Sequence, residues 1–115
     1  MDLKEMRSNA RRASRLLKAM SNERRLMVLG YLSQGERSVG ELERLVGLSQ
    51  SALSQHLARL RHDKLVVTRR EAQTIYYSLA SLEVDAVMST IYGLYCGGSN
   101  QDGADPGYDG PGHVC

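Results

Sequence analysis

Apolar residues recur at Leu3, Met6, Ala10, Ala13, Leu17 and Met20, a 3-4-3-4-3 spacing. This lays one seam along a first helix, the kind of stripe two helices use to pack side by side. Arg7, Arg11, Arg12, Arg15 and Lys18 fill its other faces. Ser21 or Asn22 caps a second helix with Leu26, Leu29 and Leu32 as its core stripe, ending before Gly35. Gly30 in its middle costs about 1 kcal/mol against alanine, so the site either has a close neighbour or tolerates the loss.

Ser38 and Glu41 have the S-x-x-E spacing of a capping box, which opens a third helix with Leu42, Leu45 and Val46 inward. Gly47-Leu48-Ser49 then forms a tight turn into GLSQSALSQHLARLR, residues 47 to 61. There Leu53, Leu57 and Leu60 repeat at i, i+4, i+7 and mark one buried stripe. Two short helices joined by a glycine turn read as helix-turn-helix. The β-rich runs 65–70 and 73–78, separated by Glu71-Ala72, read as a hairpin, and in this order the hairpin is a wing.

From Ser81 to about Tyr95 a fifth helix carries Val84, Val87 or Met88, Ile91 and Tyr95 on one side, with Ala86 and Leu94 widening the apolar surface. Such a surface needs a cover, and the first helix's seam is the candidate. The expectation is a mainly α winged helix-turn-helix domain with five helices over residues 1–96, dimerising through its first and last helices. Residues 97–115, rich in Gly and Asp with two Pro, have too little apolar surface to fold alone and read as a disordered tail ending in a cysteine.

Composition adds a partner. With 115 residues, 42% of them hydrophobic, the chain suits one small domain whose core a dimer would enlarge. The overall charge of +2 hides an asymmetry: residues 1–95 hold all 15 basic side chains against 10 acidic ones, or +5, and the tail holds three Asp. The folded body therefore suits a polyanion. The sequence has no spanning apolar run and no signal-peptide pattern, so a cytoplasmic protein without a membrane partner is expected. With no nucleophile–base pair and no phosphate loop, neither an enzyme nor a cofactor is expected.

The face opposite Leu53 and Leu57 carries Gln50, Ser51, Ser54, Gln55 and Arg59, short hydroxyl and amide groups where a solvated helix usually shows Glu and Lys. In a helix-turn-helix this face enters the major groove of double-stranded DNA, where Gln pairs with adenine, Arg with guanine and Ser with base edges or phosphates. Gln50, Ser51, Ser54, Gln55 and Arg59 are the candidates for base readout. Arg61, Lys64, Arg69 and Arg70 are the candidates for phosphate or minor-groove contact. His56 borders the leucine stripe and reads as a packed or phosphate-contacting residue rather than a metal ligand.

The stretches LLKAMSNERRL (16–26), SVGEL (38–42), LSQSALSQHL (48–57) and RREAQTIYY (69–77) together resemble the ArsR/SmtB family of bacterial winged-helix repressors. Within it they are most similar to the sulfide- and persulfide-responsive BigR-, SqrR- and HlyU-like branch. The resemblance covers about residues 10 to 96. It implies a homodimer that binds an inverted-repeat operator and leaves when an inducer acts.

The family's metal sensors use Cys pairs at the third helix or Asp and His ligands along the fifth. Here the third helix has no Cys, and the fifth has Glu83 and Asp85 but no His, so no metal site of either kind is expected. The persulfide-responsive branch uses one Cys in the second helix and one at the end of the fifth. Cys96 matches the latter, whereas Gly30 stands where the former would be. Cys115 is the candidate replacement, since a Gly-rich tether of 19 residues has an r.m.s. span of about 24 Å. The alternative inducer is arsenite or another thiophilic ion held by Cys96, Cys115 and His113.

Overall fold

A computed structural model describes residues 2–95, so Cys96, His113, Cys115 and the expected tail lie outside the described residues. The elements run α1 (Leu3–Met20), α2 (Glu23–Ser33), β1 (Arg37–Ser38), α3 (Val39–Val46), α4 (Gln50–His62), β2 (Val66–Glu71), β3 (Thr74–Leu79) and α5 (Leu82–Tyr95). This is the expected winged helix-turn-helix with five helices.

Local chemistry sets the helix ends. Of the two expected caps for α2 it is the Asn22 side chain that accepts from the Arg24 and Arg25 amides. At α3, Ser38 Oγ accepts from the Glu41 amide at 3.2 Å and the Glu41 carboxylate accepts from the Ser38 amide at 2.8 Å, the reciprocal capping box read from the sequence. The bond from the Ser38 amide is the main reason the Glu41 carboxyl is held below its ordinary range. Gly47 ends α3 in the left-handed region at φ 75°, a conformation other residues adopt at a cost, and this aims the chain into α4.

The core gathers Leu29 and Leu32 of α2, Leu42 and Val46 of α3, Leu53, Leu57 and Leu60 of α4, and Val84 and Met88 of α5. Each such side chain contributes about 1.5–3 kcal/mol on burial. In α2 the buried set is wider than the expected stripe: residues 28–32 are all buried, Gly30 among them, while Leu26 is half-buried.

Three expectations are corrected. Leu45 is 39% exposed rather than inward, because Leu42 and Val46, one turn apart, form the line that reaches the core and Leu45 falls to its side. The hairpin turn is Ala72-Gln73, one residue later than expected, since Glu71 pairs with Thr74 and Ala72 takes the left-handed φ of 57°. The sheet has a third strand, β1, whose Arg37 and Ser38 pair with Tyr77 and Tyr76 in the order β1-β3-β2. In α5, Val84 and Met88 are buried, whereas Ile91 is half-buried and Tyr95 82% exposed, so the far end of the helix's apolar side is left uncovered within one chain.

Within one chain α1 does not cover α5 with its seam. Leu16, Ala19 and Met20 join α1 to the body, and an exposed Arg12–Glu83 contact at 3.5 Å is its ion pair to α5. Leu3, Met6 and Leu17 remain exposed at 54–65%.

Candidate nucleic-acid interface

Ser49 starts α4: its hydroxyl accepts from the Ala52 amide at 3.2 Å, fixing the helix beyond the Gly47 turn. With Leu53, Leu57 and Leu60 locked in the core, helical periodicity turns Ser51, Ser54 and Gln55 away from them, while Gln50 and Arg61 stand at the flank beside Leu57 that faces the wing, and all five are exposed. Ala58 lies at the centre of this face and keeps it low. The candidate readout residues are thus together on one surface. His62 shares it, a residue outside the sequence-derived candidates although it lies at i+8 from Ser54 and i+11 from Ser51.

Arg59 stands at the edge of this face. Its Nε donates to Asp63 Oδ2 at 2.6 Å, an i,i+4 pair across the last turn, and this bond is the main reason the Asp63 carboxyl is held low. Arg59 therefore braces the end of α4 while keeping an exposed flank. His56, half-buried beside Arg24 and Arg25, is held below the ordinary imidazole range, first by burial and then by those two guanidinium groups.

Past α4 the chain turns through Lys64 at φ 63°. The Leu65 amide bonds the Leu60 carbonyl at 2.9 Å and the Lys64 amide the Arg61 carbonyl at 3.0 Å, while Leu60 and Leu65 are both buried. This is a Schellman end with lysine where glycine or asparagine is usual.

The wing separates its two arginines. Arg69 faces the side of Tyr76, over whose ring its guanidinium lies at 4.5 Å, and it pairs with both oxygens of Glu36 and with Glu71 at 3.3 Å. Those carboxylates hold the Arg69 guanidinium firmly protonated. Arg70 lies across from Ile75, on the side that Ile75 and Tyr77 share. A groove runs between that side and α4, lined by Gln50, Ser54, Arg61 and His62 on one wall and Gln73, Ile75 and Tyr77 on the other. Arg61, which lines the groove, and Lys64 and Arg70 outside it form no ion pair with any described residue, so their charge is available to an anion. Gln73 at the wing tip is not legible in the sequence, because the residue pattern sets the turn one position early.

A buried leucine stripe behind a polar helix, a glycine turn before it and a basic hairpin beside it define a winged helix-turn-helix DNA-binding module. The model for the bacterial regulatory proteins of the arsR family matches residues 22–67. The chain is 57% identical over 96 residues to the transcriptional activator HlyU of Vibrio cholerae, covering 84% of this chain and 89% of that protein. It is 37% identical over 101 residues to the biofilm growth-associated repressor of Xylella fastidiosa, covering 88% of this chain and 89% of that one. The solved structure of reduced HlyU from Vibrio cholerae superposes with a TM-score of 0.79 at 57% identity, over 82% of this chain and 99% of that one. A homodimeric winged helix-turn-helix DNA-binding domain from Mycobacterium bovis gives 0.69 at 31% identity, over 82% and 85%. The chain belongs to the arsR family of bacterial regulatory proteins, and it is a DNA-binding transcription regulator, not an enzyme.

Proposed function

We propose that the chain is a homodimeric repressor that binds an inverted-repeat operator in the cytoplasm and is released when thiols at Cys96 and Cys115 are modified. The observation that carries the DNA-binding part is the exposed face of α4, where Ser51, Ser54 and Gln55 are turned away from Leu53, Leu57 and Leu60 and Gln50 stands exposed at the flank. Gln50, Ser51, Ser54 and Gln55 read base edges, Arg59 and Arg61 flank them, and Lys64 and Arg70 meet phosphates. Arg69 serves the wing's own structure as well as its charge.

Dimerisation is supported by exposed apolar residues on the two helices: Leu3, Met6 and Leu17 of α1, and Leu94 and Tyr95 of α5. The homodimeric Mycobacterium bovis domain supports the same assembly. Two-fold symmetry then sets two α4 helices about 34 Å apart, one turn of the duplex. The name of the Xylella relative supports repression.

The thiol reading rests on sequence position and on a relative whose structure is that of its reduced form. Cys96 directly follows Tyr95, so a group added there acts at the end of α5, beside the surface assigned to the dimer. Modification releases DNA only by favouring a dimer shape that fits the duplex less well.

The test is fluorescence anisotropy on a labelled duplex selected from a random pool by the full chain, before and after polysulfide, with dithiothreitol reversal. Release is expected for the native chain and not for Cys96→Ser or Cys115→Ser. Retained release in Cys115→Ser would leave Cys96 acting alone, and release by arsenite but not polysulfide would replace the thiol switch by a soft-ion site at Cys96, His113 and Cys115.

A further inference from the structure

Five cations of α1, Lys4, Arg7, Arg11, Arg15 and Lys18, recur every three or four residues and all are exposed. At 3.6 residues per turn they fall within an arc of about 80°, and at 1.5 Å per residue the stripe is about 21 Å long. The helix's acidic groups lie elsewhere: Asp2 caps the N-terminus by accepting from the Glu5 amide at 2.8 Å, and Glu5 lies on the side of Arg12. None of the five forms an ion pair with a described residue; the one α1 cation that does, Arg12, lies off the stripe and reaches Glu83.

One residue of the stripe, Arg15, borders the end of the recognition helix. It lines the same groove as Lys64, Leu65 and Asp63, the residues through which the chain leaves α4. The apolar seam Leu3, Met6, Ala10 and Leu17 occupies the adjoining arc, so a dimer formed through the seam leaves a basic stripe at the rim of each protomer.

We propose that this stripe is a second DNA-backbone contact, laid along the duplex that flanks the bases read by α4. The proposal rests on the DNA-binding reading above and extends its footprint. A periodic array of one sign, with no carboxylate or aromatic within it, complements a periodic polyanion, and DNA offers a phosphate about every 3.4 Å along each strand. An acidic protein face lacks that regularity, and a membrane surface would compete for the seam the dimer uses.

The experiment uses the full chain and two duplexes: the core selected from a random pool, and the same core with about one helical turn of arbitrary sequence on each side. Anisotropy is followed across a salt series for the native chain and for the triple variant Lys4→Gln, Arg7→Gln, Arg11→Gln. Glutamine retains helix propensity, and circular dichroism with sedimentation checks fold and dimer. The native chain is expected to bind the longer duplex more tightly and with a steeper salt slope. The variant is expected to forfeit that gain, its slope on the longer duplex falling by about 0.9 for each phosphate it no longer neutralises and its affinity by about tenfold. On the core duplex the two proteins should agree. Native slopes retained by the variant on both duplexes would overturn the proposal, as would equal reductions on both. Equal binding of the two duplexes by the native chain would overturn it without recourse to any variant. Binding to phosphatidylglycerol vesicles that the variant abolishes, with unchanged DNA slopes, would transfer the stripe to a lipid surface. If the native chain binds neither duplex in a salt-dependent way, the underlying DNA-binding reading fails, a result distinct from all of these.

Discussion

Arg69 forks onto Glu36, 33 residues away in sequence, with Nη2 at 2.8 Å from Oε1 and Nε at 2.9 Å from Oε2. The pair ties the outer side of the wing to the loop that precedes β1. Both side chains keep solvent contact, so global stability gains little from it. Glu36→Gln should instead loosen the wing, speeding hydrogen exchange of amides in β2 and β3. It should also turn Arg69 outward as a DNA-facing cation, steepening the salt slope by up to about 0.9. An unchanged slope would show that Arg69 takes no part in DNA binding even when released.

Lys64 occupies a left-handed position that glycine would fill without strain. Lys64→Gly should raise stability by about 0.5–1 kcal/mol, read by thermal or denaturant unfolding, because relief of the left-handed strain outweighs glycine's extra backbone entropy. The same variant should bind DNA more weakly, with a salt slope lower by about 0.9. Gain in stability without any drop in affinity would remove Lys64 from the interface.

Gln55 and Arg70 should fail differently. Gln55→Ala removes a group that reads bases, so discrimination among operator variants should shrink by about 1–3 kcal/mol at one position. Arg70→Ala should weaken all sequences alike and flatten the salt dependence. Competition anisotropy against single-base operator variants separates the two, and a uniform loss of affinity in Gln55→Ala would take it off the base edges.

His56 makes stability depend on pH. Its folded pKa lies below its ordinary 6.5, through burial first and the Arg25 and Arg24 charges next. The unfolded chain therefore binds a proton more readily, so stability is full above pH 6.5 and declines as pH falls from there toward the lowered folded value. Denaturant unfolding between about pH 8 and 5 should show this slope, and His56→Gln should flatten it. A slope that survives the substitution would locate the titration elsewhere.

Much of the fold is legible in the sequence because it is local. The Ser38–Glu41 box, the Gly47 turn and the leucine stripe of α4 each follow from spacing within a few residues, and they place the candidate interface on one face. Long-range pairing is not legible in that way. Two-residue β1 becomes a strand only because Tyr76 and Tyr77 lie beside it, and neither Arg37 nor Ser38 signals that. Arg69 reads as a free wing cation because nothing in its neighbourhood points to Glu36. The hairpin turn shifts because Glu71 has the look of a turn residue, whereas cross-strand pairing with Thr74 holds it in the ladder and passes the positive φ to Ala72.

Ser38 ends the strand that pairs with the wing and also caps the helix that begins the helix-turn-helix. The wing strand and α3 consequently meet at one residue, and α4 follows α3 through the tight Gly47 turn, so the gap between wing and α4 is set by short hydrogen-bonded connections rather than by a flexible linker. Such an arrangement acts as a calliper of fixed opening. A duplex is then judged on the width of its grooves as well as on its bases, and sequences whose grooves deform easily to that opening should be preferred even at positions no side chain touches.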